Sequence, residues 1–422
     1  MSDNVPIMDR LRAETRDEHA HIEARPFFAA LAAGKLSLAS YVGWLHIMSA
    51  IHEAFEQQML CAQHDLLAEL WDGSLRKLPL IERDLAALPS HEPPQSAMLR
   101  AQLVTQRIRR RAHDDPISLL GYLYVLEGST LGGLVLQSQA SRSLGLSASS
   151  GLAYLSSYEK ATKAHWTEFS QRVNRAPLDP AAQARIVEAA REAFVGIDQI
   201  VEELYPLGAP PQRDLVRLLN PEAGTHAIPN DPREVEAALR AGERSWQQFP
   251  YYEWRYGQRG ERFTRSDSAW LAALAEYDPP VVEQQILWLG RVLAARGMPQ
   301  WMLELHLELL YEELSTAVPE KQPSYTALRL AAQSLREMRR RHIGDALFQS
   351  LTADFDQAVG PEWSARLPRT GGLLAAAVAD ERAGITNAVA SIQAWMSDPS
   401  RFPPAWIEAV QHTLAAARAQ AV

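Results

Sequence analysis

Apolar residues recur at intervals of three and four along almost the whole chain, and alternating strand patterns are absent. Proline or glycine falls repeatedly where such helical runs should stop. The pattern predicts an all-α protein. The densest group of breakers, residues 206–231, contains PLGAPP, NPEAG and IPNDP and reads as a linker. It separates two helical domains, 1–205 and 232–422, each with about seven helical segments. No internal repeat relates them. A chain of 422 residues is longer than one ordinary core sustains, which agrees with two domains.

Composition narrows the class without naming it. A hydrophobic fraction of 47% with 22% charged residues is that of a folded globular protein rather than a disordered or fibrous one. The single cysteine, Cys61, excludes an internal disulfide and a cysteine-built zinc or iron–sulfur cage. It fits a reducing cytoplasm. The first residues are polar and charged where a signal peptide needs an apolar core. No uninterrupted apolar run of about 18 residues occurs, which predicts no membrane span. A net charge of −9 argues against a dedicated nucleic-acid binder. Two basic runs, 107–111 and 339–341, are expected to be solvated helix faces, a docking patch for an acidic partner being the narrower alternative.

The first helix should run over residues 6–23 and stop before Arg25-Pro26, because a residue preceding proline leaves the α region. Met8, Leu11, Thr15, His19 and Ile22 share one face. That spacing places the His19 imidazole on the buried stripe. Arg12 lies two turns before it and Glu23 one turn after. A metal-bound histidine usually gives its other ring N–H to a carboxylate or carbonyl, a part Glu23 is placed to play. Taken alone, a histidine on an apolar face is more often a core residue. His21, His46 and His52 are rivals, the last two expected as ordinary helix-face residues.

Residues 121–145 have helical apolar spacing, yet their middle carries Gly128, Gly132 and Gly133. Each glycine inside a helix costs about 0.8–1 kcal/mol relative to alanine. Either another backbone approaches closely there, or a flat ligand lies on bare backbone. On the glycines alone, close packing is the better reading.

Taken together, LRAETRDEHAHIE and LYVLEGSTLGG resemble the haem oxygenase family, in particular its bacterial members that supply biliverdin. The resemblance covers about residues 6–205 and implies a haem-oxygenase-like helical architecture. It implies His19 as the proximal iron ligand, with Glu23 as its hydrogen-bonding partner. Gly128 and Gly132 would face haem across the distal side, with Gly133 beside them and Ser129 in the distal polar network. Tyr124 and Arg12 match propionate contacts. On the last helix, 181–204, Arg191 or Arg185 matches a propionate-binding basic residue, and Phe194 lies on the face that closes over haem. Many animal members carry an aspartate where this chain has Ser129, so its proton-delivery network must differ.

The activity so implied converts haem and O2 to biliverdin, CO and ferrous iron, with haem both substrate and cofactor. No GxGxxG-type fingerprint for a flavin or nicotinamide is present. Electrons would therefore come from a ferredoxin, a flavodoxin-like reductase or a small reductant, and a biliverdin-accepting protein is a conceivable further partner. The alternatives are a non-catalytic haem- or bilin-binding sensor or carrier, and a helical enzyme that uses no haem.

The second half is not recognised as a member of any family. Its pattern predicts helices near 233–240, 267–276, 280–296, 299–314, 324–342 and 404–420. The aromatic and arginine-rich stretch 249–263 suits interface packing, with a ligand grip as the alternative. His306 beside Glu304, Glu308 and Glu312, with Glu408 and His412, offers a conceivable metal set, but solvated helix charge is the better reading. A regulatory, product-accepting or dimerising role would fit such a domain.

Overall fold

A computed structural model describes residues 5–205 and 215–420. It contains helices and no strand among those residues, as the spacing predicts. They divide into two compact units, one on each side of the undescribed segment 206–214.

The first unit is built from α1 (Ile7–Glu14), α2 (Arg16–Glu23), α3 (Pro26–Ala32), α4 (Leu38–Cys61), α5 (Asp65–Leu70), α6 (Leu78–Ala87), α7 (Gln95–Asp114), α8 (Leu119–Leu144), α9 (Ala153–Ser156), α10 (Thr162–Arg175) and α11 (Pro180–Leu204). Local chemistry fixes several ends. Ser37 Oγ accepts from Ser40 N before α4, and Asp179 caps Ala182 N just ahead of Pro180 in α11, as N-caps do. Gly145, with φ of 68°, closes α8. Helix α8 packs on α11, α9, α10 and α3. Its closest crossing uses Gly121, where a Cβ would stand 2.2 Å from Ile186 O and 2.6 Å from Ala190 N. Only glycine lets the two backbones meet there.

By length and composition, Pro116–Leu144 is apolar enough to cross a membrane, contrary to the expectation drawn from uninterrupted runs. Its packed side nevertheless carries the buried, ion-paired Glu127 and lies against α11, as a core helix does.

The second unit comprises α12 (Val216–Leu219), α13 (Pro232–Gln248), α14 (Tyr251–Leu274), α15 (Pro279–Ala294), α16 (Gln300–Ala317), α17 (Gln322–His342), α18 (Asp345–Arg366), α19 (Thr370–Arg382), α20 (Ala388–Met396) and α21 (Pro404–Gln420). Gly257 and Gly360 kink α14 and α18. The linker reading of 206–231 needs correction over its described part. Val216 and Leu219 are buried, α12 packs on α14, and Asn220 Nδ2 donates to Ser266 Oγ. Residues 215–231 therefore belong to the second unit. The breakers shape a short, packed segment rather than a free connection.

Candidate functional site

The helix expected over 6–23 is broken at Thr15, whose φ and ψ are −112° and 12°. Its buried hydroxyl donates to Leu11 O at 2.8 Å, the back-bonding by which threonine bends a helix. The break changes the fate of His19. Met8, Leu11, Thr15 and Ile22 are buried as the spacing predicts. His19 is not, for its side chain is 59% exposed. An open imidazole is what a ligand-binding role requires, so the correction removes the core reading. Nδ1 stands 3.7 Å from Glu23 Oε2, too long for a direct hydrogen bond. That leaves Nε2 as the nitrogen for a metal. Phe194, from α11, meets the ring edge-on at 5.8 Å.

Tyr124 on α8 ties the two motifs together. Its ring packs on Trp166 at 5.8 Å, and its hydroxyl feels Thr15 and Arg12 from the first motif. Burial raises its pKa, opposed by Thr15 and by the nearby Arg12 guanidinium. One turn beyond Thr15 lies His19, and one turn beyond Tyr124 lies Gly128. Helix α11 packs against both α2 and α8, so one helix supports both motifs.

The glycines of α8 divide the two readings between them. A Cβ on Gly132 would meet nothing within 4 Å, and one on Gly128 only the Trp166 ring at 3.4 Å. Those two bare an open strip of backbone. Gly133 differs: its Cβ would stand 2.9 Å from Leu155 O, so this glycine serves close packing on α9. Ser129 is exposed beside the strip and donates to Leu126 O at 2.7 Å. Val135, one turn beyond Leu131, is 72% exposed, giving the strip an apolar margin.

The two candidate arginines of α11 part company. Arg191 Nε donates to Glu14 O at 2.9 Å and lies 3.5 Å from Glu18, near His19 but already matched by carboxylates. Arg185 pairs with Asp115 at 2.8 Å, before the start of α8, and is not brought beside either motif. Arg12 remains the exposed cation beside Tyr124.

Sequence reasoning missed the polar residues behind the strip. His52, expected on an ordinary helix face, is 2% exposed. Its Nε2 lies 3.1 Å from the Tyr154 hydroxyl and its Nδ1 3.6 Å from Glu56 Oε1. Burial lowers the His52 pKa, with Glu56 opposing. Burial would raise Glu56, but the hydrogen bonds from His52, Leu78 N and Lys77 N outweigh it and hold the carboxyl at about 2. Nearby, Lys77 Nζ donates to Glu127 Oε2 at 2.9 Å and to the Tyr158 hydroxyl at 2.7 Å. The signal was an i,i+4 His–Glu pair on an otherwise apolar stretch of α4.

The second unit presents no comparable arrangement. Glu304 is buried and paired with Arg336 and Arg339 at 2.8 and 3.3 Å, while Glu308 also meets Arg336. His306 Nε2 lies 3.1 Å from Ser268 Oγ, and Glu408 and His412 are exposed. No three acidic, histidine or cysteine side chains come together as a metal site among the described residues. Glu304 is thus neither a ligand nor solvated charge. In the stretch 249–263, Phe249 and Tyr251 are buried in the unit's own core, and Tyr252 stacks on Trp246 at 5.4 Å. Both basic runs include ion pairs: Arg111 with Glu192, and Arg339 and Arg340 with Asp345.

The family model described as Heme oxygenase matches residues 5–203. That stretch is similar to the haem oxygenase family, and the match stops before the second unit. Heme oxygenase 1 of Synechocystis sp. is 26% identical over 209 residues, covering 48% of this chain and 85% of the relative. Human Heme oxygenase 1 is 25% identical over 219 residues, covering 49% and 74%. Among solved structures, haem oxygenase-1 of Synechocystis, determined in complex with haem, aligns over 48% of this chain and 93% of its own, at 22% identity and a TM-score of 0.42.

Proposed function

We propose that the first unit opens haem with O2 to give biliverdin, CO and ferrous iron. The observation that carries this reading is the pairing of open His19, one turn beyond Thr15, with the bare Gly128–Gly132 strip, one turn beyond Tyr124. The residues fit a flat ligand. Open backbone at Gly132, the apolar edge at Val135 and the indole of Trp166 suit the face of a ring.

His19 would hold the iron through Nε2, while Glu23 at Nδ1 favours the tautomer that leaves Nε2 free. Bound haem supplies the iron that activates O2 and the ring that is opened. The protein supplies orientation and room. With no side chain at Gly128 or Gly132, the distal wall neither crowds the iron nor offers an acid–base group against it. Ser129 Oγ is the nearest hydroxyl on that strip. The Tyr124 hydroxyl and the Arg12 guanidinium, at the closed end, suit carboxylates at the ligand's edge. Phe194 limits the rotation of the His19 ring.

Electrons come from outside, from a ferredoxin, a flavodoxin-like reductase or a small reductant, and a biliverdin-accepting protein would take the product. The lone, exposed Cys61 suits a reducing cytoplasm. The test is to mix the full chain with haem and a reductant under air. Replacement of the haem spectrum by that of biliverdin is expected, with His19→Ala abolishing both ordinary haem coordination and turnover. A haem spectrum that persists under reductant would make the unit a sensor or carrier. An unchanged spectrum and yield in His19→Ala would overturn the ligand assignment.

A further inference from the structure

Helix α15 has an outer face that its own unit leaves uncovered. Its inner side, with Val282, Ile286, Leu289 and Gly290, is buried, and the helix packs on α16 and α17. Of its 16 residues only Glu283 and Arg291 are charged, although a helix with one side in water normally carries its charge there. Five large apolar side chains are exposed among the described residues of the second unit, and four of them surround this helix: Tyr277, Val281, Trp288 and Leu330. Trp288 is 57% exposed and meets the Trp270 ring at 6.4 Å. Leu330, from α17, lines a groove together with Pro279 and Pro280. Exposed aromatic rings on a charge-poor surface mark the centre of an interface.

The order of residues along that face determines what fits it. Asp278, Val281, Trp288 and Arg291 are all exposed and follow one another at intervals of three, seven and three. Such intervals bring them near one side of the helix. Their characters run acid, apolar, apolar, base, and the spacing is the same read from either end, about a midpoint between Gln284 and Gln285. Asp278 caps no backbone N–H, and neither it nor Arg291 has an ion pair among the described residues. A second copy turned end for end sets each Asp278 against the other's Arg291 and each Val281 against the other's Trp288. The glutamines then meet at the axis, where an amide both donates to and accepts from its own kind. The positive amino-terminal end of each α15 comes to lie beside the negative carboxy-terminal end of the other. An unlike partner requires no such matched spacing, whereas a two-fold contact does.

We propose that the second unit pairs two copies of this chain, with α15 packed antiparallel on the α15 of a second copy about a two-fold axis between Gln284 and Gln285. Trp288 anchors the contact, and the symmetry makes its ring count twice. Tyr277 and Leu330 extend the apolar margin beyond the helix pair. The Asp278–Arg291 pairs lie at the rim, where they fix which way round the helices run more than they add affinity. One helix pair with its margins is at the small end of specific interfaces, so the dimer exchanges with monomer rather than being permanent. This contact is independent of the haem reading of the first unit.

The test is sedimentation of the full chain over about 1 to 200 μM. The wild type should pass from monomer towards dimer across that range. Trp288→Ala, on an exposed face, should weaken association at least about thirtyfold, the effect of losing an anchoring ring. Arg291→Asp and Asp278→Arg should each weaken it about tenfold, because like charges then meet at both ends. The variant carrying both reversals should recover most of that loss, since the pairs return with their signs exchanged. Damage to the fold would not be undone by a second reversal. A chain that stays monomeric throughout overturns the proposal. So does a dimer that Trp288→Ala leaves intact, which has its contact elsewhere, and so do reversal losses that add in the double variant. A monomer that binds phosphatidylcholine vesicles, and loses that binding in Trp288→Ala, gives the face to a lipid surface and overturns the second copy as its occupant.

Discussion

Two helices of this protein carry a glycine pair, and they use it in opposite ways. In α19, a Cβ on Gly371 would stand 2.7 Å from Thr352 Cα and 2.8 Å from Leu351 O, and one on Gly372 2.8 Å from the Trp301 ring. Both glycines are consumed by packing. In α8, Gly133 is packed in the same manner, but Gly132 faces open space. Surroundings, not the dipeptide, decide which reading holds. Every residue from Thr370 to Asp380 is buried, the mark of a helix enclosed on all sides. Helix α8 leaves one side uncovered, and polar Ser129 sits there next to Gly128.

The contrast extends to buried polar groups. Those behind α8 are joined to one another, Tyr154 to His52 at 3.1 Å and His52 to Glu56 at 3.6 Å. In the second unit, His306 has Ser268 as its partner and leaves Nδ1 buried without one. Asp380 accepts from Gln300 N inside the core. These groups tie helices together at a cost.

The largest expected effect follows from the packed pair. Gly371→Ala meets two backbone atoms that cannot swing aside, so its cost should reach or exceed the top of the about 1–3 kcal/mol range for overpacking. Denaturant unfolding of the second unit measures it. A loss below about 1 kcal/mol would place Gly371 with Gly132 and dissolve the comparison.

Next in size is the isolation of His306. Burial lowers its pKa to about 4, below an unfolded value of about 6.5. The unfolded state therefore binds the proton first, and stability is lost as pH falls from about 6.5 to about 4. The linkage is worth on the order of 3 kcal/mol. Asp267 and Asp380, raised by burial to about 6 and about 7, gain stability on protonation over an overlapping range. The effect must therefore be read as the wild type against His306→Gln. Parallel pH profiles for the two proteins would show that His306 is not held neutral by burial.

The smallest effect belongs to the open glycine. Gly132→Ala should stabilise the haem-free chain by about 0.8–1 kcal/mol, the helix propensity difference with no clash to oppose it. A destabilised Gly132→Ala would mean that the strip is closed by neighbouring side chains.

The helical class and the two motifs proposed to face the ligand were legible in the sequence, because period and glycine spacing are local properties. What it did not carry has physical causes. Thr15 breaks the first helix, yet Ile22 beyond it keeps to the buried stripe; His19 is open because nothing covers that position, which periodicity cannot report. Gly133 could not be told from Gly132 without knowing that Leu155 lies over one and nothing lies over the other. His52 and Tyr154 are 102 residues apart, and no local pattern joins them. Within 206–231, the turn residues hid Val216 and Leu219, which are too few to show a period yet enough to anchor the segment.

The central claim is that the open strip on α8 is one wall of a haem site whose other wall carries His19. An absorbance titration of the full chain with haem, wild type against Gly132→Leu, tests it most directly. A leucine there has space to stand and should leave the fold intact while filling the place of the ring. The account predicts a haem affinity at least about a hundredfold weaker, the range expected when a side chain obstructs a preformed pocket. An affinity equal to that of the wild type, in a Gly132→Leu chain of undiminished stability, would contradict it.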